Sequence, residues 1–176
     1  MKKPEVLKSS EIYKGRIFDV RIDDIREGDV EYKREIVVHK GSAVILPVFA
    51  DDTVGLVRQY RHAAGEYMLE VPAGSLESGE EPLEGAVREL EEEVGVVADK
   101  VEKLAEFYVS PGFLTEIMHL FLATGLTETA QRLEGDEIIE IERIPMYRAL
   151  AMIASGEIQD AKTIIGLMLA AKRLGL

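Results

Sequence analysis

"GSLESGEEPLEGAVRELEEEVGV", residues 74–96, carries eight glutamates among its 23 residues, together with Gly74, Pro82 and Gly95. Pro82 suits the first position of a helix. Leu83, Ala86, Val87, Leu90 and Val94 recur at helical spacing, and Gly95 suits a helix end. The spacing predicts a helix from Pro82 to Val94. At about 100° per residue, the five apolar residues share one face. Glu89, Glu92 and Glu93 form a stripe beside that face, with Arg88 next to Glu92. A solvated acidic face is one reading of the stripe, because glutamate-rich helices are common. A metal site is the other. Glu89–Glu93 and Glu89–Glu92 are like-charge pairs at i,i+4 and i,i+3, each costing about 0.2–0.5 kcal/mol on an exposed helix. They also lie in the last turn, where the helix dipole disfavours anions. A divalent cation that prefers oxygen ligands reverses the sign of all these effects.

Outward from this helix the chain is mostly strand. Upstream, residues 12–26 alternate in one or two strands, 27–29 turn, and 30–39 pair back as a hairpin. Residues 42–50 form a continuous apolar run, read as a buried strand; 53–61 and 66–74 follow, the second ending in a Pro-Gly loop. Downstream, strands are expected at 101–108, 117–123 and 137–144. Pro145 then opens a helix stopped by Gly156, and Asp160 caps another, "AKTIIGLMLAAKRL". Many strands, one helix, more strands and two helices describe an α+β fold with a mixed sheet.

The 176 residues suit one domain with a small appendage. With 47% hydrophobic and 31% charged residues the chain reads as globular. A net charge of −12 argues against a nucleic-acid binder. Absence of cysteine excludes disulfides, thiol nucleophiles and cysteine zinc sites, and suits a cytoplasmic location. Lys2 and Lys3 precede no apolar stretch, so no signal peptide is expected, and no apolar run is long enough to span a membrane.

The stretch reads G-x5-E-x7-R-E-U-x-E-E-x-G-U, with U apolar, filled by Gly74, Glu80, Arg88, Glu89, Leu90, Glu92, Glu93, Gly95 and Val96. It resembles the Nudix box, the signature of the Nudix hydrolases. The flanks "VRQYRHAAGEYMLEVPAGSLE" (57–77), "SPGFLTE" (110–116), "LEGDEIIEIERIP" (133–145) and "GEIQDAKTIIGLMLA" are similar to ADP-ribose pyrophosphatases of that superfamily, and Pro111 stands sixteen residues after Gly95. The resemblance covers about residues 40–170. It implies a Nudix-type α/β/α sandwich over 41–176, with a small N-terminal β-subdomain over 1–40 exchanged in a homodimer. It implies Glu89, Glu92, Glu93 and the Ala73 carbonyl as ligands of Mg²⁺, with Mn²⁺ as the substitute, and Glu80 and Arg88 as their supports. The activity implied is hydrolysis of ADP-ribose, or a related nucleoside diphosphate sugar, to AMP and ribose 5-phosphate. The alternatives are a GDP-sugar or dinucleoside polyphosphate hydrolase, or a non-catalytic ADP-ribose sensor.

Around the box, Arg61 and Arg58 are read as diphosphate contacts or as strand-surface charges. Glu70 is read as a substrate contact or a backbone partner. Pro111, Gly112 and Glu116 are placed near substrate by the resemblance, with a loop cap as the other reading of Glu116. The resemblance assigns the general base to Glu137, which aligns with the glutamate just before the following strand; the loop reads Glu134-Gly135-Asp136-Glu137 where the family usually sets two acids one residue apart, and Glu134 and Glu92 are the alternatives. The partners expected are a small nucleotide-sugar substrate and a second copy of the chain, with no nucleic acid and no membrane.

Overall fold

A computed structural model describes residues 2–133, 135 and 137–176. The chain divides into two compact units, Met1–Gly41 with Phe107–Ile117, and Ser42–Glu106 with Met118–Leu176. In the first, β1 (Glu5–Lys14), β2 (Asp19–Glu27) and β3 (Val30–Val38) pair antiparallel in that order. Gly28, at φ 61°, makes the predicted return between β2 and β3, a conformation that favours glycine. Residues 110–115 fold back within this unit: Val37 N–H donates to the Phe113 carbonyl (2.8 Å) and Thr115 N–H to the Val37 carbonyl (3.0 Å).

Further along follow β4 (Ser42–Pro47), β5 (Thr53–Arg61), β6 (Glu66–Glu70), β7 (Ala73–Ser75) and α1 (Pro82–Glu89). A π-helical turn, Leu90–Val94, continues α1. Then come β8 (Val96–Tyr108), β9 (Ile117–Glu128), β10 (Ile139–Pro145), α2 (Met146–Ser155) and α3 (Ala161–Leu174). One sheet has the order β7-β4-β9-β8 and another β10-β5-β6. The first is mixed: β4 runs parallel to β9 and antiparallel to β7.

Every residue of β4 is buried, and the reason is cover on both faces. Ala43 and Ile45 pack with Ala86, Leu90 and Val94 of the helix. Their neighbours point the other way, towards the side where α3 packs on β4. Gly166 of α3 faces that side: a Cβ there would make ordinary contact with Leu120 at 3.5 Å and Val71 at 3.7 Å. This is the expected α/β/α layering, and a strand covered on both faces is apolar throughout. The apolar run to Ala50 outlasts its strand, which ends at Pro47. The strands expected at 101–108 and 117–123 extend to Val96–Tyr108 and Ile117–Glu128. Among the described residues no helix is long and apolar enough to cross a membrane.

The helix that opened the sequence reading differs from it in two ways. Its last turn is π-helical, a wider turn common at functional sites. Its buried face is also turned: Ala86, Leu90 and Val94 are buried as expected, but Leu83 and Val87 are 48% and 42% exposed. Glu89 and Glu93 occupy the inward positions instead. Apolar periodicity alone marks an average direction; here two carboxylates pull the inward face towards β7.

Candidate active site

Glu89 and Glu93 lie one turn apart and are 6% and 3% exposed. What admits them is a missing side chain. A Cβ on Gly74 of β7 would stand 1.8 Å from Glu89 Oε1, so only glycine leaves room for that carboxylate. Beside it, Ala73 N–H donates to Glu93 Oε2 at 3.0 Å. Burial pushes both carboxyls up. Glu89 is raised although Arg88 opposes the shift. Glu93 rises to about 8 through burial and the nearby Glu89 charge, with Glu137 adding to it against the Ala73 N–H and Arg61.

Arg88 gathers the remaining box acids. Its Nε and Nη2 donate to Glu80 at 2.9 and 3.2 Å, and its Nη1 to Glu89 at 2.6 Å and Glu92 at 2.9 Å. The Glu80 hydrogen bonds raise the pKa of Arg88 first, and Glu89 and Glu92 add to this. Glu80 is held below the ordinary range by the same bonds, and its Oε2 accepts from Glu77 N–H at 2.9 Å, closing the loop before α1. Among the described residues no three acid or imidazole groups stand ready as a metal shell, because Glu89 and Glu92 face Arg88 and Glu93 faces a backbone N–H. The donor chemistry fits a divalent cation nevertheless. Two buried carboxylates with raised pKa values, a third half-exposed one and a glycine-cut cradle form an all-oxygen set whose charge a hard dication offsets.

The chain beyond β9 is tied to the end of the box. Gly95 is left-handed at φ 67°, and a Cβ there would meet Gln131 N at 2.7 Å. Thr129 N–H donates to the Gly95 carbonyl (2.7 Å), Arg132 N–H to the Glu92 carbonyl (3.0 Å) and Gln131 Nε2 to the Glu93 carbonyl (2.6 Å). From this anchor the loop runs to Glu137, whose charge reaches both Glu89 and Glu93. Glu134 lies outside the described residues.

The flanking residues divide. Arg61 binds Glu70 with two hydrogen bonds, Nε at 2.6 Å and Nη2 at 2.8 Å, and its charge also reaches Glu93. Glu70 is 1% exposed and takes a third bond from Lys162, so it faces other side chains. Burial alone would raise its pKa, but Arg61 and Lys162 hold it low. Arg58 pairs with Glu142 on the neighbouring strand β10. Pro111, Gly112 and Glu116 belong to the other unit, where Glu116 Oε1 lies 3.7 Å from His39 Nδ1 and the Glu116 carbonyl accepts from Val109 N–H at 3.3 Å. Lys162 and Thr163 escaped the sequence reading, which used Asp160 only as a cap. Their signal was a lysine in the first turn of a helix, where the dipole disfavours a cation.

A family model described as NUDIX domain matches residues 39–165. The chain is 39% identical over 162 residues to the ADP-ribose pyrophosphatase of Bacillus subtilis (strain 168), covering 90% of this chain and 88% of that one. It is 38% identical over 165 residues to the methanol dehydrogenase activator of Bacillus methanolicus, covering 92% and 89%. A crystal structure of an ADP compounds hydrolase superposes with a TM-score of 0.87 at 24% identity, over 99% of this chain and 96% of that one, a likeness of fold. The matched segment contains the carboxylate cradle, its arginine clamp and the anchored loop alike, and the chain belongs to the NUDIX family.

Proposed function

We propose that this Nudix hydrolase cleaves the diphosphate of ADP-ribose to AMP and ribose 5-phosphate, in the cytoplasm and as a homodimer. The observation that carries the reading is the buried Glu89–Glu93 pair set against Gly74 and Ala73. Identity to an ADP-ribose pyrophosphatase over nine-tenths of the chain supports the substrate. Glu89, Glu92, Glu93 and the Ala73 carbonyl would hold Mg²⁺, or Mn²⁺ in its place. When bound, the cation polarises the phosphoryl oxygens and makes water more acidic.

The chain's own residues do the rest. Glu93, whose carboxyl burial pushes up to about 8 without metal, would hold the cation as a carboxylate. Arg88 turns Glu89 and Glu92 and offsets their charge. Arg61 supplies the cation that an acidic chain must offer a diphosphate, and Arg58, three residues earlier on β5, is the second contact of this reading. Glu70 acts through Arg61. The resemblance to ADP-ribose pyrophosphatases, rather than any distance, supports Pro111, Gly112 and Glu116 as substrate contacts. Water attacks one phosphorus, the bond from that phosphorus to the bridging oxygen breaks, and the departing phosphate keeps the electron pair. Glu137 accepts the water proton; its charge already reaches the two buried carboxyls. The homodimer is supported by apolar side chains that the first unit leaves exposed, Ile12, Ile17 and Val30 at 58–61%.

A product assay with Mg²⁺ across ADP-ribose, GDP-mannose, Ap4A and NADH tests the reading. ADP-ribose is expected to give AMP and ribose 5-phosphate at the highest kcat/KM. Preference for another member of the panel refutes the substrate, and turnover of none refutes catalysis.

A further inference from the structure

Lys162 stands where neither helix physics nor burial favours a lysine. It is the second residue of α3, at the positive end of the helix dipole, and 7% exposed. An apolar side chain would suit such a position, and buried ion networks are often replaceable by apolar residues without loss of stability. Its ammonium lies between two carboxylates: Glu70, and Asp160 Oδ1 at 3.0 Å. Glu70 in turn carries Arg61 on both of its oxygens. The row therefore alternates in charge, Arg61, Glu70, Lys162, Asp160, and only its first member, with a 39% exposed side chain, opens outward.

We infer that Lys162 is a positioning residue for substrate: by balancing Glu70 from behind, it leaves the Arg61 guanidinium net attractive to a diphosphate. Without Lys162, the row holds two anions and one cation. Arg61 is then neutralised by Glu70, Asp160 is uncompensated, and the excess negative charge adds to that of Glu89 and Glu93. The consequence falls on binding of an anion. The cradle itself stays in place, because the strand leading to it has its own ties. Val71 N–H donates to Thr163 Oγ1 (2.8 Å), Thr163 Oγ1 to Asp160 Oδ2 (2.5 Å), Ile45 N–H to the Pro72 carbonyl (3.0 Å) and Ala73 N–H to Glu93 (3.0 Å). None of these passes through the Lys162 ammonium.

This inference rests on the diphosphate reading above and is separable from it. Lys162→Met is expected to raise KM for ADP-ribose about tenfold while kcat stays within about threefold, the split left by lost uniform binding. In a Glu70→Gln background Lys162 has only Asp160 left to balance and no carboxylate bound to Arg61, so Glu70→Gln and Glu70→Gln/Lys162→Met should share one KM within about twofold. A structural ion pair would lower the melting temperature of Lys162→Met without that KM–kcat split. An unchanged KM in Lys162→Met overturns the inference, as does a tenfold difference between the two Glu70 variants. If Lys162→Met does not fold, the comparison between the Glu70 variants decides alone. Calorimetric Kd values for inorganic pyrophosphate give the same comparisons without turnover. A wild-type protein that binds pyrophosphate but hydrolyses no ADP-ribose refutes the substrate and leaves the Lys162 comparison to be judged by Kd.

Discussion

Gly74 and Glu93 show how much of this site rests on single atoms. Adding one methyl group at Gly74 puts carbon 1.8 Å from Glu89 Oε1, so either the carboxylate or β7 must move. Gly74→Ala is expected to lower kcat about 10²-fold, the usual cost of displacing a reacting group by about 1 Å, while circular dichroism still reports a folded chain. Wild-type kcat would mean that the cradle does not set Glu89. For Glu93 the sign of the pH effect follows from its raised pKa. Between about 4.5, its ordinary value, and about 8, the folded metal-free chain holds a proton that the unfolded chain has released. Its contribution to stability is therefore complete below the unfolded value and is lost as the pH rises through 8. Glu93→Gln keeps the oxygen that accepts from Ala73 N–H and removes the titration. Without metal, the fall in melting temperature from about pH 6 to about pH 9 should be smaller in Glu93→Gln than in the wild type. The same variant should lose roughly 10²-fold or more in kcat with metal present. An equal fall in melting temperature for both proteins would place the titration elsewhere.

At the scale of elements, the helix and the loop tied to it make separate predictions. Leu90 is fully buried in the core shared with β4, whereas Val87 is 42% exposed. Leu90→Ala should cost about 2–5 kcal/mol in denaturant unfolding, and Val87→Ala no more than about 0.5 kcal/mol. Equal costs would restore the symmetric apolar face that periodicity suggests. The loop after β9 hangs from three hydrogen bonds to the end of the box and delivers Glu137 within electrostatic reach of the buried pair. Single-turnover measurement with ADP-ribose should find Glu137→Gln slow in the chemical step with substrate affinity nearly intact, and Glu134→Gln much less affected. A larger loss in Glu134→Gln would shift the base along the loop; no loss in either would move it to Glu92.

For the whole molecule the test is its state of association. The first unit leaves Ile12, Tyr13, Ile17 and Val30 more than half exposed, and exposed apolar side chains suit an interface. Sedimentation at micromolar concentration should find a dimer, and Ile12→Asp should shift it towards monomer without unfolding it; a wild-type monomer refutes the interface. What the amino-acid sequence determined by itself are the features written in local order: the strand of residues 53–61, Pro82 and Gly95 at the ends of the glutamate helix, Asp160 as a cap, and the glutamate spacing that names the family. Periodicity, turn chemistry and capping act between neighbours, so neighbours suffice to read them. Only the tertiary structure decided which way that helix faces, why position 74 must be glycine, and that Arg61, Glu70 and Lys162 form one row. Each of these depends on how closely packed elements approach: a Cβ at position 74 of β7 would stand 1.8 Å from Glu89 Oε1 of α1, and a lysine of α3 reaches the last residue of β6. Burial and charge pairing are properties of the packed chain, and spacing along the sequence does not state a distance in space.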